Sequence, residues 1–328
     1  MKIAVFGCLK EEIPYFELAK KTLPVELSLT SDLLTDDNIS LAKGCDAISV
    51  LATSAVNEKR LIFLKDAGVK YVGARCIGYN HIDLVSAKKL DIRVCNAVYS
   101  EHCVADFTLM LMLMCIRNVP YILRKNESYD YRINGMMGRE MPNLTVGIVG
   151  TGRIGKAVAK RVHGFGSRII AFDPYPSKEL SDYVQYVSLE KLYQQSDIIT
   201  FHAPYNKENY HMLNQKNLSL LKDGVIIINA ARGELVESQA LIEGLDSGKI
   251  AGAGIDCFEE EYGVIQYDLN YNIKKRHDLM LLQGYPNVVF TPHVAFYTDQ
   301  AVKDLVIIGL KNLLQFESGE SNPAEVTA

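Results

Sequence analysis

The stretch VGIVGTGRIG, residues 146–155, reads as an apolar strand that turns through glycines into a helix. Each glycine of the G-x-G-x-x-G pattern has its own task. Gly150 permits the tight turn, Gly152 leaves room for a dinucleotide pyrophosphate to reach the backbone, and Gly155 lets the helix pack closely on the sheet. The N-terminus of that helix offers free N–H groups and a partial positive charge to phosphates. The context supports the pattern, because the apolar run LTVGIVG precedes it and the helical run RIGKAVAKRVHGFG follows. A second strand, RIIAFDP, ends in Asp173. A carboxylate there accepts hydrogen bonds from ribose hydroxyls and repels a 2′-phosphate, so the expected cofactor is NAD rather than NADP. As an alternative, Asp173 is a turn residue before Pro174.

A nucleotide turn usually opens a domain, yet most of the first half of the chain lies in front of this one. The 328 residues allow two domains of about 100–200 residues each. KIAVFG (2–7), VELSL (25–29), AISVLA (47–52), YVGAR (71–75) and RVCN (93–96) are short β-rich runs separated by helical patterns such as Asn57 to Ala67. After the turn the alternation resumes with IIAFD (169–173), IITFH (198–202), VIIINA (225–230), IAGAGID (250–256) and VVFTPH (288–293). Apolar strands alternating with helices make parallel sheets covered on both faces. The expected class is therefore α/β, with two doubly wound parallel-sheet domains.

Two helices stand out. SEHCVADFTLMLMLMCIRNVPYILRK reads as one helix of about 24 residues, about 36 Å long, capped by Ser100. It is apolar around most of its circumference, which suits a helix shared between domains or subunits better than one buried in a single domain. The last helix, YTDQAVKDLVIIGLKNLLQF, takes Thr298 as its cap.

Three polar residues sit just beyond buried strands, where α/β proteins bind ligands. Arg232 follows VIIINAA, Glu261 ends GIDCFEEE and His293 ends VVFTPH. Together they are the parts needed to oxidise a 2-hydroxy acid. A histidine exchanges the hydroxyl proton near neutral pH, a carboxylate orients it and stabilises the imidazolium, and a guanidinium fork holds a substrate carboxylate or carbonyl. Taken singly, each is an ordinary strand-end residue. The set beside a nucleotide turn is what carries the reading.

In GTGRIG, NAARGELV, GIDCFEEE and TPHVAFYTDQA, in that order, the chain resembles the D-2-hydroxyacid dehydrogenase family, in its D-lactate dehydrogenase-like branch. The resemblance implies a Rossmann NAD domain, residues 100–296, inserted into a flavodoxin-like substrate-binding domain, residues 1–99 and 297–328. It gives Arg232, Glu261 and His293 the roles of substrate-binding arginine, histidine-coupled acid and acid/base. It sets Arg153 and Ile154 over the pyrophosphate, Ala203, Pro204 and Asn209 by the adenosine, and Ala230, Ala231 and Asp256 at the nicotinamide end. In RCIGYNHIDL the N–H groups near Ile77 and Gly78 would grip the substrate carboxylate, with Tyr99 reaching the same group. Tyr79 stands where family members carry a smaller residue and would reshape the pocket. The substrate is then pyruvate or a larger 2-oxo acid such as 2-oxoisocaproate or phenylpyruvate, and the long helix contributes to a two-fold homodimer through the NAD domain. A second reading is an NAD(H)-sensing corepressor-like protein on the same scaffold, against which the short tail SGESNPAEVTA speaks.

Composition bounds the rest. Hydrophobic residues make up 48% and charged residues 23%, with a net charge of −4, so nothing draws the chain to nucleic acid or anionic membranes. The longest apolar run, FTLMLMLMCI (107–116), falls short of the roughly 20 residues of a membrane span, and the N-terminus lacks the apolar core of a signal peptide. Seven cysteines without CxxC or metal-ligand spacing suit a reducing cytoplasm. Each reads as a small buried hydrophobe, and no metal site is expected.

Overall fold

The computed structural model describes residues 1–261, 263–265, 269, 276–319 and 321–328. Internal contacts divide the chain into two compact units, Met1–Ser100 with Tyr297–Ala328, and Glu101–Phe296.

In the first unit five strands alternate with helices: β1 (Lys2–Val5), α1 (Ile13–Thr22), β2 (Glu26–Leu29), β3 (Ala47–Val50), α2 (Glu58–Asp66), β4 (Tyr71–Ala74), α3 (Leu84–Lys89) and β5 (Arg93–Asn96). Local signals set the ends. Asn57 caps α2 by accepting from the Arg60 N–H, and Asp83 caps α3 by accepting from the Ser86 N–H. All five strands are parallel, in the order β5-β4-β3-β1-β2. This is the flavodoxin-like order, reversing beside β1.

The second unit begins with α4 (His102–Ile116) and α5 (Val119–Glu127). It continues through β6 (Thr145–Val149), α6 (Arg153–Gly164), β7 (Arg168–Phe172), β8 (Val184–Tyr186), α7 (Leu189–Gln195), β9 (Ile198–Phe201), β10 (Val225–Asn229), α8 (Ser238–Asp246), β11 (Ile250–Ile255), α9 (His277–Gly284) and β12 (Val288–Phe290). Its seven strands lie in the order β12-β11-β10-β9-β6-β7-β8, all parallel. That is the doubly wound Rossmann arrangement, with its switch point between β6 and β9. Separate cores cover the two faces, one around Ile199, Phe201, Ile227 and Leu241, the other around Leu111, Met112, Ile148 and Val158. Two covered faces explain why IITF and VIIIN read as unbroken apolar runs.

The chain then returns to the first unit as α10 (Asp299–Ser318) and β13 (Glu325–Val326). Thr298 caps α10, its hydroxyl accepting from the Ala301 N–H at 3.3 Å. Val306, Leu310, Leu313 and Phe316 of α10 fill a core with Ile3, Val5, Ala47 and Cys95. The helix lies so close to β4 that a Cβ on Gly73 would come 3.0 Å from Leu313. β13 pairs antiparallel with β5, and Arg93 meets Glu325 through two bonds of 2.9 and 2.7 Å.

The long helix expected from Ser100 onward is two helices, bent by 64° at the break. Asn118 takes the left-handed conformation (φ 53°), and Pro120 falls in the first turn of α5. Had the helix run on, the Pro120 ring would strike the carbonyl of Ile116, while at a helix start its missing N–H costs nothing. Ser100 is not the cap. Glu101 occupies that position without a side-chain capping bond, and the Ser100 N–H goes to Asp304 Oδ2 at 3.2 Å. α4 belongs to the second unit, where Ala105, Leu111, Met112 and Ile116 are buried. Among the described residues no single helix is long and apolar enough to cross a membrane.

The first unit is pinned by a buried ion pair. Arg75 donates from Nε to Glu12 Oε1 at 3.0 Å, from Nη1 to Ser49 Oγ at 3.0 Å, and from Nη2 to the Phe6 and Gly7 carbonyls at 2.9 and 3.1 Å. Both side chains are almost fully buried. Removing one partner strands the other charge without water, whereas replacing both does not. Glu12→Ala should therefore cost about 3–5 kcal/mol in urea unfolding, and a second change, Arg75→Met, should recover much of that loss.

Candidate active site

The glycine turn after β6 has the shape its sequence requires. Gly150 sits at φ 91°, and a Cβ there would come 2.6 Å from the Ala203 N. A Cβ on Gly155 would lie 2.0 Å from the Gly150 carbonyl oxygen. At Gly152, the residue that opens α6, an added Cβ meets no protein atom within 4 Å. Two glycines thus let protein approach protein, and the third leaves open space at a helix N-terminus, a fit for a phosphate-bearing cofactor. Arg153 pairs with Glu101 at 2.6 Å, and Ile154 packs half-buried on the core beneath.

Asp173, at the end of β7, is already engaged. Its carboxylate accepts from the Thr151 N–H at 2.6 Å, the Thr151 hydroxyl at 3.0 Å and the Tyr175 N–H at 2.8 Å. Tyr186 donates to the Thr151 hydroxyl at 3.0 Å. Ala203 and Pro204 follow β9. Asn209 shapes their loop by donating to the Pro204 carbonyl at 2.6 Å and accepting from the Asn206 N–H at 2.8 Å. Ala230 and Ala231 follow β10, and the Ala231 N–H reaches Asn229 Oδ1 at 3.2 Å.

The strand ends that bear the polar set are stitched together by backbone and amide bonds. Asn229 Nδ2 donates to the carbonyls of Arg232 at 2.9 Å and Cys257 at 3.2 Å, which ties the β10 end to the β11 end. A Cβ on Gly233 would lie 2.0 Å from the Phe258 carbonyl, so Arg232 needs a glycine after it for these loops to touch. Arg232 itself is half-buried and donates from Nη1 to the Ala231 carbonyl at 2.6 Å.

Asp256 is fully buried, and its carboxylate accepts from Thr291 Oγ1 at 2.6 Å and from the N–H groups of Val294 and Ala295, each at 2.9 Å. These bonds hold the TPHVA loop. His293 stands in that loop at φ 54°, a conformation costly for a residue with a Cβ. Its N–H meets the Asp256 carbonyl at 2.9 Å. His293 Nδ1 shares a hydrogen bond of 2.6 Å with Glu261 Oε1. Glu261 Oε2 is buried with no partner among the described residues.

Electrostatics separate this histidine from His81 and His202. Burial pushes His202 down to about 3 and His81 down to about 4, so both stay neutral near pH 7. For His293 burial also opposes the charge, but the Cys257 thiol and the Glu261 carboxylate outweigh it and raise the imidazole well above its ordinary range. Cys257 is the neighbour that sequence reasoning set aside as a buried hydrophobe. It is buried, and it also lies against the His293–Glu261 pair.

Ile77, Gly78 and Tyr99 belong to the first unit. After β4 the chain is shaped by Asn96 Nδ2, which donates to the Ile77 carbonyl at 2.7 Å, and by Cys76 Sγ, which reaches the Gly78 carbonyl at 2.9 Å. Among the described residues no acceptor meets the Ile77 or Gly78 N–H. Tyr99 is half-buried just beyond β5.

A Rossmann sheet with an open glycine turn, and a hydrogen-bonded histidine–carboxylate pair at its strand ends, defines a dinucleotide-dependent dehydrogenase. Residues 109–295 match the NAD binding domain of D-isomer specific 2-hydroxyacid dehydrogenases. The chain belongs to that family of NAD-dependent enzymes. It is 42% identical over 319 residues to an aromatic 2-oxoacid reductase of Clostridium sporogenes, covering 97% of this chain and 96% of the relative. It is 37% identical over 326 residues to a D-lactate dehydrogenase of Lactiplantibacillus plantarum, with 98% of each covered. A solved D-2-hydroxyisocaproate dehydrogenase superposes with a TM-score of 0.91 at 36% identity over 100% of both chains.

The glycines make opposite demands. Gly155→Ala should lower thermal stability, because its new methyl meets backbone. Gly152→Ala should unfold normally yet weaken NADH at least about tenfold, roughly 1.4 kcal/mol, in a fluorescence titration. Equal NADH affinity in Gly152→Ala would count against this turn as the phosphate site.

Proposed function

We propose that His293 is the acid/base of a D-2-hydroxyacid dehydrogenase, with Glu261 coupled to it and Arg232 holding the substrate's carboxylate or carbonyl. The observation that carries this reading is the 2.6 Å bond between His293 Nδ1 and Glu261 Oε1. NAD, when bound, supplies the hydride chemistry. In reduction, His293 delivers a proton from Nε2 to the carbonyl oxygen, and in oxidation it takes the hydroxyl proton back. Glu261 fixes the ring through Nδ1 and stabilises the imidazolium. The guanidinium of Arg232 polarises the carbonyl and orients the acid.

Residues 100–296 bind NAD and residues 1–99 with 297–328 bind the substrate. Gly150, Gly152, Arg153, Ile154 and Gly155 receive the pyrophosphate, Asp173 the ribose, Ala203, Pro204 and Asn209 the adenosine side, and Ala230, Ala231 and Asp256 the nicotinamide end. The uncommitted N–H groups of Ile77 and Gly78, with Tyr99, grip the substrate carboxylate. The substrate is pyruvate or a larger 2-oxo acid such as 2-oxoisocaproate or phenylpyruvate. The names of the relatives support both sizes.

The enzyme works in the cytoplasm as a homodimer formed through the NAD unit. No disulfide joins any of the seven cysteines, which supports a reducing compartment. Beyond α5 the chain exposes Tyr129, Tyr131, Ile133 and Met137, the last two 83% and 91% accessible. Phe107, Leu109, Leu113 and Met114 lie half-exposed on α4. So much exposed apolar surface supports a covering subunit. Light scattering should report a dimer that Ile133→Asp with Met137→Asp converts to monomer. A native chain that is already monomeric would refute this part.

His293→Gln should lower kcat/KM for 2-oxo acid reduction by about 10²–10⁴. The reduction rate needs the protonated ring, so it should hold below the His293 pKa and fall above it, at a pH beyond the ordinary histidine range. Glu261→Gln removes the stabilising charge and should move that fall to lower pH by about one unit or more. Tight NADH binding without turnover of any 2-oxo acid would instead favour the sensor reading.

A further inference from the structure

Cys257 has no task in the proton transfer, yet it completes a set of metal donors. Its Sγ and one ligating atom each from Glu261 and His293 all lie within 4.8 Å of one another. Thiolate sulfur, imidazole nitrogen and carboxylate oxygen are the donors that zinc selects, and three of them leave a fourth position open. At zinc bond lengths of about 2.0–2.3 Å, tetrahedral donors stand roughly 3.3–3.8 Å apart. The cluster therefore needs only small side-chain adjustments. The His293–Glu261 bond of 2.6 Å must open, and Glu261 is free to yield because it lies in neither helix nor strand. A separate observation points the same way, since Glu261 Oε2 is buried without a donor among the described residues.

We propose that Cys257, Glu261 and His293 form a three-ligand site for a thiophilic divalent cation, Zn²⁺ foremost, and that filling it switches the enzyme off. On binding, the Cys257 S–H bond breaks as the metal–sulfur bond forms, and the thiol proton leaves to solvent. The metal also replaces the proton shared by His293 and Glu261, which likewise leaves to solvent. No electron moves. With the metal on Nδ1 the ring is neutral and could give up its Nε2 proton only by becoming an imidazolate, so it no longer acts as the acid, and Glu261 no longer serves the ring. The site stands on geometry alone, whereas the loss of turnover rests on the role proposed above for His293.

The test uses the intact, metal-stripped enzyme in thiol-free buffer, titrated with Co²⁺ and then with Zn²⁺. A cobalt–thiolate site absorbs in the near ultraviolet. The band should appear in the native protein, bleach when Zn²⁺ displaces Co²⁺, and be absent from both Cys257→Ser and Cys257→Val, each first checked by thermal unfolding. In parallel, Zn²⁺ should lower 2-oxo acid reduction at least about tenfold, reversibly on chelation, and the half-inhibiting concentration should rise about 100-fold in Cys257→Ser. Absence of the band in native enzyme, or equal Zn²⁺ sensitivity in Cys257→Ser, overturns the site. A Cys257-dependent band with turnover intact at saturating Zn²⁺ upholds the site and overturns both the switch and His293 as acid/base.

Discussion

The arrangement depends most on one buried carboxylate. Asp256 has no access to solvent, and a charge in that position is tolerable only when donors surround it. The Thr291 hydroxyl and two backbone N–H groups surround it, and all three belong to the segment that carries His293. The left-handed backbone at His293 would relax if left to itself. The carboxylate removes that freedom and aims the imidazole at Glu261. A group expected to face the cofactor is thus first of all the anchor of the histidine loop.

Close backbone approach is the second constraint, and glycine is its instrument. Gly150 and Gly155 let the nucleotide turn fold against the β9 loop and against itself, and Gly233 lets the loop after Arg232 lie on Phe258. Each replaces a side chain with neighbouring backbone, so the strand ends form one connected rim. On the role proposed for His293, rigidity there serves the chemistry, because proton transfer tolerates little error in the position of donor and acceptor.

What could be read beforehand divides along the same physics. The fold class was legible because it rests on local evidence, such as strands buried on both faces and a glycine turn between strand and helix. Arg232, Glu261 and His293 drew notice because polar residues soon after buried strands stand out, and of the three the structure bonds His293 to Glu261. The anchoring role of Asp256 was not, since its donors lie on a different strand end and only tertiary structure introduces them. Cys257 looked like any small apolar residue for the same reason. The break at Asn118 was written in Pro120 and was overridden by the long apolar run before it. β8 and β13 are three and two residues long and owe their strand geometry to their neighbours rather than to a pattern.

The return of α10 to the first unit has a consequence for biosynthesis. Ile3, Val5, Ala47 and Cys95 leave the ribosome before the whole second unit, but the helix that covers them leaves after it. The second unit is contiguous and completes its sheet while the first still presents a bare apolar face. Nascent chains are therefore exposed to self-association until α10 has been made, and a stop codon placed before α10 would leave an intact nucleotide domain joined to a sheet that cannot close.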